Sequence, residues 1–274
     1  MMVVGWLRRR LRGTLLHRHY RRVVDQLARN RATPLSDLNA AYDRQTVEVM
    51  RCILRHDSSC VDMGAHRGDI LEHIVAIAPA GTHHAFEALP HLAAGLRDRF
   101  PSVRVHPIAV SDSSGEADFQ YVQNAPESEY SGLRRRIYDH PDPRVLTIRV
   151  PVATVDDVIP ADQPIAFMKI DIEGGEYHAI MGSVGTIRRW QPVIVFEAGS
   201  KSTGQYGVTA ADLYDLISKT LWYELSTMGR WLRRESEMTR QEFCYNWDNG
   251  PDFYFIATPA GVPAEPGVAS DLAH

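Results

Sequence analysis

The sequence predicts an α/β protein, a doubly wound and mostly parallel seven-stranded sheet with an N-terminal helical extension. Three observations carry this. Short apolar runs alternate with longer runs of helical period from Ser59 to Ala257. The first such strand ends in a glycine-bearing turn, Val61-Asp-Met-Gly-Ala-His-Arg-Gly68. A later strand ends in an acidic turn, Met168-Lys-Ile-Asp-Ile-Glu-Gly-Gly-Glu176, with three carboxylates in six residues.

The elements follow in order. Residues 1–45 read as a basic helical extension, because Leu15, Leu16, Val23, Val24 and Leu27 fall near helical spacing. Thr33-Pro34 interrupts it, and Ser36 or Asp37 can cap a further helix. Thr46 to Leu54 reads as a helix leading into the sheet. Strands are expected at Ser59–Met63, Gly81–Phe86, Val103–Val110, Ile165–Ile170, Val193–Phe196, Tyr223–Ser226 and Asp252–Ala257. Helices are expected at Asp69–Ala78, Pro90–Phe100, Glu176–Arg189 and Ala210–Thr220. Pro90 suits the first turn of its helix, where no N–H is needed.

Two segments fall outside the alternation. Residues 120–150 form a long insertion with Tyr130-Ser-Gly-Leu133, arginines at 134–136 and His140-Pro-Asp-Pro143. A connection of that length reads as a lid or acceptor-binding loop. Residues 259–274 are rich in Pro, Gly and Ala and read as a disordered tail. The domain expected between the extension and the tail is 46–258, with the insertion inside it.

Composition excludes several classes. Cys52, Cys60 and Cys244 are odd in number and widely spaced, which argues against a disulfide framework and for a reducing cytoplasm. No apolar run approaches a bilayer span. The net charge of −4 hides an asymmetry: residues 1–31 hold nine arginines against Asp25 alone. The basic end suits a packed amphipathic helix or peripheral contact with the inner face of a membrane. The acidic remainder argues against nucleic acid as a partner. Oligomeric state is not legible.

The strand ends carry the chemistry. Gly64 and Gly68 frame the first turn, where backbone can approach a ligand and free N–H groups at the helix start can hold a carboxylate. Glu87 follows Gly64 by 23 residues, the spacing at which an acid accepts ribose hydroxyls. Asp62, Glu87, Asp171, Glu173 and Glu197 all fall near carboxyl ends of strands. So many acids suit a cofactor with positive charge and sugar hydroxyls, and suit a pyrophosphate poorly. S-adenosyl-L-methionine has a sulfonium, an ammonium and one carboxylate. A nicotinamide oxidoreductase is disfavoured, since GxGxxG is missing. Glu173 and Glu176 can alternatively serve only to start a helix.

These residues resemble the FkbM family of methyltransferases. The resemblance rests on Val61-Asp62-Met63-Gly64-Ala65-His66-Arg67-Gly68, Phe86-Glu87-Ala88-Leu89-Pro90, and Lys169-Ile170-Asp171-Ile172-Glu173-Gly174-Gly175-Glu176 with Gly182 beyond. Ala109-Val110-Ser111-Asp112, Val155-Asp156-Asp157 and Pro192–Glu197 extend it over roughly residues 58–200. Ala88 and His66 depart from the proline and asparagine common there. The resemblance implies a Rossmann-like class I methyltransferase fold with an antiparallel last strand. It implies that Asp62, Gly64, Ala65, Gly68, Glu87, Ala109, Val110 and Asp171 bind S-adenosyl-L-methionine. It implies O-methylation of a sugar hydroxyl on a glycolipid or related natural product.

A hydroxyl must lose its proton as it attacks the methyl group, so catalysis needs positioning and a base. Lys169 and Asp171 alternate onto one side of their strand, and Asp171, Lys169 and Glu173 are the catalytic candidates. His140 and His178 are further possible bases. Asp171, Glu173 and Glu197 can alternatively hold a divalent ion, although no histidine pattern supports zinc and no metal is expected. Methylation of a nitrogen or a protein side chain is the runner-up activity. A non-catalytic adenosine-binding protein is the alternative of another class.

Overall fold

The computed structural model describes residues 35–123, 131–135 and 143–261. It divides into two compact units, Met1–Ala41 and Tyr42–His274. In chain order the elements are α1 (Leu35–Ile53), β1 (Cys60–Met63), α2 (Asp69–Ile77), β2 (His84–Phe86), α3 (Pro90–Arg99), β3 (Arg104–His106), β4 (Ala109–Val110), β5 (Gly115–Val122), β6 (Val145–Ala153) and α4 (Val155–Val158). Then come β7 (Phe167–Ile170), α5 (Glu176–Met181), α6 (Val184–Trp190), β8 (Val193–Glu197), α7 (Ala210–Asp215), β9 (Tyr223–Thr227), α8 (Met228–Leu232), α9 (Arg240–Asn249) and β10 (Tyr254–Pro259).

The main sheet has seven strands in the order β3-β2-β1-β7-β8-β10-β9. It is parallel except for β10, which runs antiparallel to both β8 and β9. The doubly wound sheet and its antiparallel strand therefore match the expected fold class. Register sorts the side chains onto two faces. Val61, Met168, Ile194 and Ala257 share one row, and Met63, Ile170, Phe196 and Phe255 the next. All eight sit in one dry core with Ala179, Ile187, Leu213 and Phe243 from the covering helices. The opposite face carries Asp62, Lys169 and Val195 in one row, then Glu197 beside Tyr254. One face is thus given to packing, and the other brings charge to the strand ends.

The structure corrects four expectations about elements. The third strand splits at Pro107, which has no N–H to donate. β3 stays in the main sheet, while β4 joins a second sheet of order β4-β6-β5. The supposed loop over 120–150 begins and ends as strand, since β5 and β6 pair antiparallel from Gly115↔Val152 to Val122↔Val145. The helix expected over Glu176–Arg189 is broken, because Gly182 packs its Cα against the Ser111 carbonyl with no room for a Cβ. A single helix, α1, replaces the interrupted pair expected before the sheet. Helices α8 and α9 have no counterpart in the sequence reading; α9 opens on a capping box between Thr239 and Glu242. The basic run at 1–31, Tyr130, Arg136, His140 and most of the 259–274 tail lie outside the described residues.

A chain of polar side chains joins β2 to β3. Arg104 donates to Gln163 Oε1 at 3.2 Å, and Gln163 Nε2 donates to the Thr82 carbonyl at 3.2 Å. That fixes the amide, so Nε2 also donates to His84 Nε2 at 2.9 Å. His84 Nδ1–H then donates to His106 Nε2 at 3.0 Å. Each imidazole is neutral in this arrangement. Burial lowers both pKa values, with the neighbouring ring and Arg104 adding at His106, which falls from 6.5 to about 4. A base depressed on folding stabilises the protein above its unfolded pKa and loses that contribution as pH falls toward the folded value. Stability should therefore decline as pH drops from 6.5 toward about 4. His106→Gln, which keeps an acceptor but cannot titrate, should be less acid-sensitive. Urea melts of both proteins across this range check it; parallel declines would remove His106 as a cause.

Candidate functional site

The turn after β1 is tied down by its own backbone. The Gly64 and Ala65 N–H groups both donate to the Phe86 carbonyl, at 2.9 and 3.1 Å. Gly64 has φ +78°, and a Cβ there would lie 1.8 Å from the Asp171 carbonyl oxygen. Its smallness serves contact between the two motif-bearing turns. Gly68 is the N-cap of α2 with φ +86°. Its N–H is not free as expected, because it donates to the Ala65 carbonyl at 2.7 Å. A Cβ on Gly68 would meet the Phe100 ring at 2.4 Å, so this glycine admits α3.

Glu87 is buried at the end of β2. One carboxylate oxygen accepts the His66 N–H at 2.9 Å and the other the Leu89 N–H at 2.8 Å. Each oxygen has a second lone pair for a further donor. Burial raises the Glu87 pKa, against the two backbone donors. Ala109 and Val110 are also buried, with side chains given to apolar clusters around β4.

The charged face converges on Asp171. Lys169 Nζ donates to Asp171 Oδ2 at 3.0 Å, and the Tyr254 hydroxyl donates to the same oxygen at 2.5 Å. Glu197, directly across from Tyr254, also interacts with the Asp171 carboxyl and favours its charged form. Lys169 shows only 7% of its side chain to solvent, whereas Asp171 shows 22%, so a ligand meets the carboxylate before the ammonium. Burial works to raise the Asp171 pKa, but Lys169, Tyr254 and Glu197 outweigh it and hold the group below the usual carboxylate range. Burial alone would depress Lys169; Asp171 and Asp62 reverse that and push it above its ordinary value. Asp62 is buried beside Lys169, and its Oδ1 has no hydrogen-bond partner among the described residues. Burial raises its pKa to about 6, with Lys169 opposing and Asp171 adding. Asp43 of α1 joins the cluster electrostatically: burial raises its pKa, Lys169 opposes, and Asp171 adds.

The loop after β7 is braced from below. Glu173 takes φ +62°, a strained value for a non-glycine residue. Glu176 is fully buried and accepts from Ile172 N–H, Gly174 N–H and the Thr203 hydroxyl at 3.2, 3.0 and 3.0 Å. Burial pushes its pKa up to about 7 against those donors. Glu176 shapes the loop. His178 lies on the wall of a polar groove of about 450 Å³ between α5 and the small sheet, and its Nδ1 meets Asp112 Oδ2 at 2.8 Å. Arg134 and Tyr206 line the same groove. Ser131 is buried and accepts the Val122 N–H at 3.1 Å, which returns the inserted segment to β5.

The structure thus brings Asp62, Lys169 and Asp171 together and sets Gly64 against Asp171. Tyr42, Asp43, Tyr254 and the Asp112–His178 pair were missed by sequence reasoning. The only signal for Tyr254 was a tyrosine in the run Asp252-Phe-Tyr-Phe-Ile-Ala257. Among the described residues, no group of three or more His, Cys, Asp or Glu side chains is placed to hold a metal ion. No described helix is long and apolar enough to cross a membrane.

A seven-stranded sheet with one antiparallel strand, a glycine turn after β1 and acids at the ends of β1, β2 and β7 defines the Rossmann-like methyltransferase class. The methyltransferase FkbM domain matches residues 62–225, and the chain belongs to that family. No curated protein matches it. Among solved structures, it is similar to the methyltransferase FkbM from Methylobacillus flagellatus KT, with 16% identity and a TM-score of 0.46 over 74% of this chain and 44% of that one. It therefore spans less than half the length of that protein. It is also similar to a TehB-like SAM-dependent methyltransferase from Corynebacterium glutamicum, with 11% identity, a TM-score of 0.40 and coverage of 78% and 85%. A third is the plantazolicin methyltransferase BpumL in complex with a triazolic desmethylPZN analogue and SAH, with 10% identity, a TM-score of 0.42 and coverage of 86% and 88%.

Proposed function

We propose that the chain is an S-adenosyl-L-methionine-dependent O-methyltransferase whose acceptor is a hydroxyl on a sugar of a glycolipid or related natural product. The observation that carries the reading is the charge at the strand ends. Asp43, Asp62 and Asp171 all act on Lys169, and Glu197 lies at Asp171. Such a site favours a cationic ligand and repels a pyrophosphate. The unpartnered oxygen of Asp62 fits an ammonium donor, and the spare lone pairs of Glu87 fit ribose hydroxyls. Bound cofactor would supply the electrophilic methyl group.

The chain's own residues then divide the work. Asp171 is a weak base, since two donors occupy Oδ2. It serves better as a fixed negative charge that orients a cation. His178 is the better proton acceptor. With Nδ1 held by Asp112, its Nε2 is the ring nitrogen left for an acceptor hydroxyl. The hydroxyl- and charge-rich groove beside it suits a sugar more than an apolar acceptor. The nine arginines among residues 1–31 support a peripheral contact with anionic lipid on the cytoplasmic side.

Calorimetry tests the reading. S-adenosylmethionine and S-adenosylhomocysteine should bind, and NAD should not. Glu87→Ala should weaken both by about tenfold or more, the worth of a charged acceptor. Binding of NAD alone would overturn the class of cofactor, and an unchanged Kd in Glu87→Ala would remove Glu87 from the ribose. Labelled methyl transfer to glycolipid extracts, against protein and amine acceptors, decides the acceptor class.

A further inference from the structure

We propose that Tyr254, which lies beyond the residues matched by the family domain, is a positioning residue for the methyl-transfer site: together with Lys169 it pins Oδ2 of Asp171 and fixes both the rotamer and the charge of that carboxylate. The assignment rests on the reading that Asp171 belongs to that site.

The geometry leaves the hydroxyl little freedom. Tyr254 opens β10, directly across from Glu197 of β8, and is 8% exposed. Its ring stacks on Tyr42 of α1, with centroids 4.9 Å apart and planes 28° apart. Tyr42 is itself anchored, donating to Asp252 at 3.2 Å and meeting the Phe253 ring edge-on at 4.9 Å. The Tyr254 hydroxyl is therefore held from behind and aimed at Asp171.

The surrounding charges explain why such a donor is needed. Asp171 is faced by Lys169 on its own strand, Tyr254 on β10 and Glu197 on β8. Asp62 on β1, Asp43 on α1 and Glu176 at the head of α5 also feel its charge. Burial and the like charges of Asp62, Asp43 and Glu176 push Asp171 toward taking a proton, and one lysine opposes them. A second lysine would oppose them too, but its charge would repel a sulfonium. A tyrosine hydroxyl adds a strong hydrogen bond to the carboxylate without adding positive charge. Burial, Asp171 and Glu197 keep the phenol protonated far above its ordinary range, so it remains a donor at any working pH.

Tyr254→Phe keeps the ring and removes the donor. The Asp171 carboxyl should titrate below the usual carboxylate range in the cofactor-free wild type and about one unit or more higher in the variant, as carbon-13 NMR reads it. Because a raised pKa means protonation at higher pH, the affinity of the variant for S-adenosylmethionine should fall earlier on acidification. The ratio of wild-type to variant affinity should grow as pH falls through the two Asp171 pKa values, toward a limit of about tenfold per unit of difference between them. Tyr254→Phe added to Asp171→Asn should change affinity by less than about twofold, since the tyrosine acts through that carboxylate. An unshifted Asp171 titration in Tyr254→Phe, or an ordinary one in the wild type, overturns the assignment whatever the cofactor does. A shifted titration in a protein that binds no S-adenosylmethionine upholds the contact and sinks the methyl-transfer reading instead. A lower melting temperature with unchanged titration and unchanged pH dependence marks Tyr254 as structural only, and also overturns the proposal.

Discussion

Gly64→Val should leave no native protein in solution, and Gly64→Ala should already destabilise the domain by more than about 4 kcal/mol. Two costs combine. At φ +78° any side chain strains the backbone, by about 1–2 kcal/mol. The larger cost is steric, since a Cβ would stand 1.8 Å from the Asp171 carbonyl oxygen. That carbonyl is held in place: the Asp171 N–H donates to the Met63 carbonyl at 3.0 Å, and its side chain is pinned by Lys169 and Tyr254. Relief requires the β1 and β7 turns to part, which breaks the site and the central strand pair together. Domains of this size hold only about 5–15 kcal/mol in reserve, so the loss is a large share of the total. Urea melts of Gly64→Ala check it, and a variant melting with the wild type would show that the turns part cheaply. Loss of ligand binding in such a variant would say nothing about direct contact with a cofactor.

The sheet was legible because its signals are local. A buried parallel strand is a short apolar run, and the turns at Gly64 and Gly174 punctuate it. The site was legible only where charge falls inside such a turn, as at Asp62, Lys169 and Asp171. Glu87 was legible through its spacing from Gly64, because one parallel crossover fixes that distance. The β5–β6 hairpin was not, since half of each strand faces solvent. Glu116, Asp118 and Arg149 pair across it as exposed ions, and exposed ions read as loop. Gly68 was misread for a different reason: its partner Phe100 sits a full βα unit away, and one sequence does not show which backbone will pass close to which ring. Tyr42 and Tyr254 are 212 positions apart and meet only once the antiparallel strand and α1 are both in place. Long-range pairs of this kind leave no periodicity to find.

Lys169→Met should cost about 3–5 kcal/mol at neutral pH, the usual effect of removing one partner from a buried ion pair. The volume is kept, so the loss is electrostatic. Lys169 is buried beside Asp62, and Asp171 and the more exposed Asp43 also act on its ammonium. Its folded pKa stands above the ordinary 10.5, so its contribution is complete at neutral pH and is lost only as pH rises through the folded value. Without it, the folded pKa values of Asp62 and Asp171 rise, because Lys169 lowers both. An acid raised on folding costs stability as pH climbs from its unfolded value, 3.8, through its folded one. The gap between wild type and variant should therefore be smallest near about pH 5 and widen toward about pH 8. Removing the anion as well, in Lys169→Met with Asp171→Leu, should recover much of the stability, since an apolar pair of similar volume avoids burying either charge. That double variant should fold and still fail to bind S-adenosylmethionine, which places the ion pair in the service of the ligand more than of the fold. Chemical denaturation across this pH range, with calorimetry on the double variant, reads both halves. A Lys169→Met protein as stable as the wild type at pH 8 would mean the acids around it are already protonated, and the anionic site argued here would not exist.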